Sequence, residues 1–220
     1  MWCVPKLDEE YIARMEDVLR TYEKPLSERE PVVCVDEKSV VLHADTRPLV
    51  PMRPGRIARR DYEYQRCGTA NVFCGVQPKA GRHFTKVTPT RGSDEFADYL
   101  LDLAARYPGA DTIHLVVDNL STHTRKALVD HFGEEAGGWL WNRFTVHYTP
   151  KHGSWLNQAE IEIGLLGRQC LGKRRIGDLA ELRHQANAWN RRSNRNRTTI
   201  HWKFTRKRAR LKLNYSIKRS

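Results

Sequence analysis

No apolar stretch in this 220-residue chain approaches the ~20 residues needed to cross a bilayer, so the sequence offers no transmembrane helix. The N-terminus MWCVPKLDEEY also lacks the charged-then-apolar layout of a secretory signal. A cytoplasmic protein, not one working on a membrane, is the expectation. Cysteine is sparse and unpaired in pattern: Cys3, Cys34, Cys67, Cys74 and Cys170 are odd in number and include no CxxC. That excludes a zinc ribbon or a disulfide framework and reads as reduced, mostly buried thiols. No glycine-rich phosphate loop follows a predicted strand, which sets aside a small-molecule phosphotransfer enzyme on a doubly wound sheet. With 40% hydrophobic and 29% charged residues, the chain is globular and not disordered.

Acid is absent from one region in particular. The last acidic residue is Glu181, and residues 191–220 carry twelve Lys or Arg against none. The first 190 residues hold 26 bases and 26 acids, so the whole net charge of +12 sits in the final thirty. Such a block suits a phosphate backbone. Its Arg195, Arg197, Lys203, Arg206, Lys207, Arg208 and Arg210 are the candidate nucleic-acid contacts. Trp202, Phe204, Leu211, Leu213 and Tyr215 imply that part of the block docks on the core, against the alternative of a solvated basic tail.

The elements that are there follow from periodicity. Tyr11, Ile12, Met15, Val18 and Leu19 predict a helix over 8–23, ended by a Pro-rich linker. PVVCVDEKSVVLH predicts one buried strand or two, and residues 44–62, with three prolines and five arginines, a basic irregular excursion. YEYQRCGTANVFCGVQP and GRHFTKVTPT predict a hairpin across the PKAGR turn. SDEFADYLLDLAARYPG predicts a helix capped by Ser93. TIHLVVDN and RFTVHYTP predict strands, with a helix from STHTRKALVDHFGEE between them. SWLNQAEIEIGLLGRQCL predicts a helix capped by Ser154, and LAELRHQANAWNRR continues helical. The expected fold class is α/β, a mixed sheet flanked by helices.

Three acids stand where apolar residues are expected. Asp36 and Asp118 each end the apolar part of a predicted buried strand, where α/β sheets build their sites; either alone is unremarkable, since Asp favours turns. Glu160 borders the helical stripe Leu156, Ala159, Ile163, Leu166 and Cys170, whereas Glu162 lies ~200° round from it at ~100° per residue. Glu160 is therefore the one expected to enter a site, with Glu162 facing solvent or pairing with a base. The bland alternative makes both surface acids. Three converging carboxylates repel, and a divalent cation relieves that. Mg²⁺, or Mn²⁺, takes hard oxygen ligands, and two such ions suit phosphodiester cleavage.

VVCVDEKSV, LVVDNLSTHT and HYTPKHGSWLNQAEIEIGLLGRQC, in that order, resemble the DDE catalytic domain of IS630-type transposases, within the Tc1/mariner group. The resemblance runs from WCVP to FTRKRARLKL. It implies a ribonuclease H-like fold in which Asp36, Asp118 and Glu160 are the catalytic, metal-holding residues. LNQAE supports Glu160, because the acid stands four residues after the Leu of the Leu-Asn pair. Asn119 and His123 also match, and are expected to support the site or the DNA backbone, or to cap the following helix. His152, with Gly153 and Ser154, reads as a structural turn; Trp155 packs or stacks on a base. The implied activity is cleavage at the ends of a DNA element and joining of the freed 3′-hydroxyls to duplex DNA, usually at TA, by a dimer in the DNA complex.

Two departures accompany the resemblance. Asp118 and Glu160 are separated by 41 residues, longer than the family spacing, with the extra length expected to loop out in HFGEEAGGWLWNRF. The family's N-terminal helix-turn-helix region has no counterpart, which implies a separate DNA-reading partner or a truncated remnant. The expected division is a linker helix region over 1–30, a catalytic domain over 31–182 and a basic extension over 183–220. A catalytically silent DNA-binding remnant or regulator would need the basic block but not the three acids.

Overall fold

In the computed structural model, which describes residues 7–216, Asp8 starts helix α1 (Glu9–Glu23) by accepting the Tyr11 amide at 2.8 Å. The WCVP stretch, Cys3, Lys218 and Arg219 lie outside the described residues. The dense β-branched run forms one long strand, β1 (Val32–Asp45). Strands β2 (Tyr64–Gln77) and β3 (Arg82–Thr88) form the hairpin predicted across PKAGR. Helix α2 (Ser93–Ala104) is capped by Gly92, not Ser93, and the Glu95 carboxylate accepts the Gly92 amide at 2.9 Å. Then follow β4 (Ile113–Val117), α3 (Arg125–Phe132), α4 (Glu134–Asn142) and β5 (Phe144–Tyr148). A 3-10 turn (Ser154–Leu156) precedes α5 (Ala159–Leu166), which ends in a π turn (Gly167–Leu171). Helices α6 (Leu179–Asn196) and α7 (Arg206–Leu213) complete the chain.

The five strands lie in the order β3-β2-β1-β4-β5. Strands β3, β2 and β1 are antiparallel neighbours, whereas β1, β4 and β5 run parallel. Side-chain alternation sorts the two faces. Val33, Val35, Phe73, Ile113, Leu115 and Val117 point to α2, α3 and α4, where Phe96, Leu100, Leu103, Leu128 and Leu140 close one core. Cys34, Val76 and Val116 point the other way, toward α1, Leu156 and Ala159. Farther along that face, Val72 and Cys74 meet Leu166, Leu182, Ala186 and Trp189. β4 is buried at all five positions, as expected of a central strand covered on both faces.

The glycine-rich stretch between Asp118 and Glu160 does not loop out. It is α4, and Gly137 serves its packing on α3: a Cβ there would meet the Leu128 carbonyl oxygen at 2.3 Å. α3 and α4 thus cross closely because neither side chain intervenes. Helix α6 runs through residue 183 with Leu182, Ala186 and Trp189 in one core cluster. The basic block also docks: Ala209 is fully buried beside α1, the Arg210 guanidinium grips Glu16 at 2.8 and 2.7 Å, and Arg206 Nε donates to Glu23 at 2.8 Å.

Candidate catalytic carboxylates and nucleic-acid surfaces

Asp36 is not at a strand end but five residues into β1; it is where β1 parts from β4. The parallel register pairs Cys34 with Val116, the last such pair, so two residues farther along Asp36 stands beside Asp118, just past β4. Equal parity puts Asp36 on the face of Cys34, and Cys74 is its antiparallel partner. That is the face α5 covers, with Ala159 and Leu166 buried against the sheet. Glu160, exposed in the first turn of α5, is the third acid.

Electrostatics tie the three together. Burial pushes the Asp36 carboxyl up to about 7, and the negative charges of Glu160, Glu37 and Asp118 add to the rise. Asp118 goes the other way: a 2.8 Å hydrogen bond from His123 Nδ1 holds it below the usual carboxylate range. His123 is 1% exposed, and its Nε2 meets Glu37 Oε1 at 2.8 Å. Burial opposes the imidazolium, but the carboxylates of Asp118 and Glu37 outweigh it and hold His123 at about 9. At neutral pH both ring nitrogens therefore donate, and His123 fixes one oxygen of Asp118. His123 also lies 4.4 Å from the Phe96 ring, centroid to centroid, and does not cap a helix. Asn119 donates to the Thr149 carbonyl and accepts from Arg14, which ties the loop after β4 to β5 and α1.

Glu162 does not face solvent. It is wholly buried and accepts from His83 Nδ1 at 2.8 and 2.9 Å, so it pairs with a base on β3. The pair joins α5 to the sheet edge and fixes the helix's rotation two residues from Glu160. Sequence reading missed His83 and Glu37. The signal for Glu37 was parity: it follows Asp36 and so faces the opposite side, where His123 stands.

The sequence-predicted basic residues do not form one surface. Arg206 and Arg210 are committed to Glu23 and Glu16. Arg195, Arg197, Lys203, Lys207 and Arg208 are exposed and make no ion pair among the described residues. His152 sits at φ 61° in the turn before Gly153, whose added Cβ would meet Pro150 Cγ at 2.5 Å, consistent with a structural turn. Trp155 packs edge-on to Phe204 at 5.3 Å. With Trp202 and Ile161 the two line a groove of about 1260 Å³ that Glu160 borders. Arg14, Asn119, Lys151 and His152 line another, together with Asp8 and Glu10.

Among the described residues, no three His, Cys, Asp or Glu side chains are drawn close enough to hold a metal ion as they stand. The donor chemistry nonetheless fits a hard divalent cation: three carboxylates, one of them held protonated to about 7 by its own burial and its neighbours' charge. No helix among the described residues is long and apolar enough to cross a membrane.

Known proteins match the fold of the chain and its family. Three solved structures of the Mos1 mariner transposase share the fold. The paired-end complex with Mn matches at 15% identity and TM-score 0.56, over 90% of this chain and 62% of that one. The strand transfer complex matches at 16% and 0.55, over 90% and 60%. The pre-cleavage transpososome matches at 13% and 0.55, over 92% and 67%. This chain thus spans about 62% of the length of the first of these. The fold is ribonuclease H-like, a mixed five-stranded sheet flanked by helices. Curated protein sequences give no match. The family model described as DDE superfamily endonuclease matches residues 31–183, a span containing Asp36, Asp118 and Glu160, and the chain belongs to that family.

Proposed function

We propose that the chain is the catalytic domain of an IS630-type transposase, cutting DNA phosphodiester bonds with divalent metal and joining 3′-ends to a target at TA. The observation that carries the reading is the meeting of Asp36 and Asp118 at the β1–β4 parting, with Glu160 in electrostatic reach from α5. Asp36, Asp118 and Glu160 would hold Mg²⁺ or Mn²⁺, two ions in the working site. Bound there, the metal supplies a Lewis acid to the phosphodiester and its leaving oxygen.

The remaining work belongs to the chain itself. His123 orients Asp118 and is in turn held by Glu37, so the carboxylate does not rotate away from the site. The Glu162–His83 pair sets the rotation of α5 and with it the place of Glu160. The unpaired Lys203, Lys207 and Arg208 neutralise phosphates. A dimer would bring two DNA ends together, and a DNA-reading partner would select them.

The test is nicking of a supercoiled plasmid by the full chain with Mg²⁺, with Mn²⁺ and with EDTA. Metal-dependent nicking supports the reading. DNA binding without nicking under every condition would instead favour a silent DNA-binding relative of the enzyme.

A further inference from the structure

A second basic feature lies at the other pole of the sheet. It is an open groove between the segment joining α1 to β1, the β2–β3 turn, the loop after α2 and the segment after α6. Arg29, Lys79, Arg82, Arg106 and Arg197 line it, against a single acid, Glu28. β4 begins three residues after Ala110, which lines this groove, and ends just before Asp118; its five residues span ~17 Å. The groove is therefore separate from the carboxylates.

Of its five cations, all but Arg29 are free of carboxylate partners among the described residues. The Arg82 guanidinium lies 5.8 Å from the Tyr107 ring centroid and that of Arg106 lies 5.6 Å from Phe84. Ring stacking orders these side chains while leaving N–H groups on their edges to donate. Lys79 donates to the Lys24 carbonyl, a neutral acceptor. Among the described residues Arg82, Arg106 and Arg197 have no ion-pair partner; only Arg29 does, in Asp111. The walls are fixed as well. Gly81 at φ +60° packs so tightly on the Arg197 backbone that a Cβ would lie 2.5 Å from it, and Ile200 donates to the Pro78 carbonyl at 2.9 Å. Ordered guanidiniums without acids, in an open groove with rigid walls, suit a row of phosphates.

We propose that this groove grips the phosphodiester backbone of a duplex DNA segment distinct from the one at Asp36, Asp118 and Glu160. It takes from the functional reading only that DNA is the substrate. A duplex held here lies on the wrong pole to be cut by the same chain, so it is either a distal stretch of the substrate or a second duplex.

The experiment is equilibrium binding of a short fluorescent duplex of arbitrary sequence to the full chain, in EDTA, across a series of KCl concentrations. The double variant Arg82→Gln/Arg106→Gln keeps the stems and removes the charges. It should bind more weakly, with the slope of log K against log salt reduced by about 2, roughly 0.9 for each phosphate left unneutralised. Lys79→Gln, at an exposed position, should reduce the slope by about 1 and decides the matter if the double variant is less folded by circular dichroism. Unchanged affinity and slope in a folded variant would overturn the proposal. So would a change confined to the binding of inorganic phosphate, which would make this a small-anion site. Because binding in EDTA needs no cleavage, a reduced slope stands even if the wild-type chain fails to nick plasmid. An unchanged slope in a chain that does nick removes the groove alone.

Discussion

At the scale of single residues, the site is organised around a histidine. His123 is buried, charged at neutral pH and shared by two carboxylates, only one of which is a proposed metal ligand. Replacing it with alanine leaves Glu37, whose side chain is 3% exposed, without its partner. We expect His123→Ala to cost about 3 kcal/mol in urea denaturation, the usual scale for breaking a buried charged pair. Nicking under conditions where the variant is folded should fall by roughly 10- to 100-fold, as for loss of a group that orients a metal ligand. An unchanged nicking rate in the folded variant would show that Asp118 needs no such support.

At the scale of elements, much of the architecture could be read in advance. α1, β1, the hairpin, β4, β5 and α6 follow from apolar spacing of 2 or 3.6 residues and from Pro and Gly punctuation. The misreadings share a cause: they depended on what an element packs against. Glycines in HFGEEAGGWLWNRF read as a loop, but close contact with the Leu128 carbonyl makes them helix-compatible. Gly137→Ala should therefore destabilise by about 1–3 kcal/mol in denaturant unfolding, despite alanine's better helix propensity. A stabilised variant would contradict the packing account. Glu162 stayed open between solvent and pairing with a base, because one helix gives an azimuth but not its neighbours; the fold puts His83 beside it and so selects the second. Asp36, Asp118 and Glu160 were legible as candidates, while His83 and Glu37 were not, since their partners are more than 75 residues away in sequence.

The α1–α7 contact belongs to the same scale and carries a pH dependence. Burial raises the Glu16 carboxyl, but the Arg210 and Tyr215 hydrogen bonds outweigh it, so its folded value lies below the ordinary one. A depressed carboxylate contributes stability that is present above its unfolded value, ~4.3, and is lost as the pH falls through the folded value. Wild type should exceed Glu16→Gln by about 2 kcal/mol at pH 7, and the two should converge only at a pH below the folded value. Urea midpoints at the two pH values check this; a constant difference would rule out the ion pair as its source.

At the scale of the whole molecule, the charge arrangement is the organising feature. The sequence concentrates its excess in the last thirty residues, yet folding divides that block. Arg206 and Arg210 neutralise α1 acids, Arg197 joins cations from three other segments, and Lys203, Lys207 and Arg208 stay free. Folding thus separates residues that are continuous in sequence and places Arg197 in the groove proposed above to hold DNA. In the proposed function, Asp36 on β1, Asp118 just past β4 and Glu160 on α5 cut DNA through a divalent metal. The most direct measurement is single-turnover nicking of a labelled duplex by wild type and Asp118→Asn in Mg²⁺ or Mn²⁺, with DNA binding measured alongside. We predict unchanged binding and a rate reduced by roughly 10³-fold or more, on the scale of losing a principal electrostatic contributor. Metal-dependent nicking that persists in Asp118→Asn would contradict it.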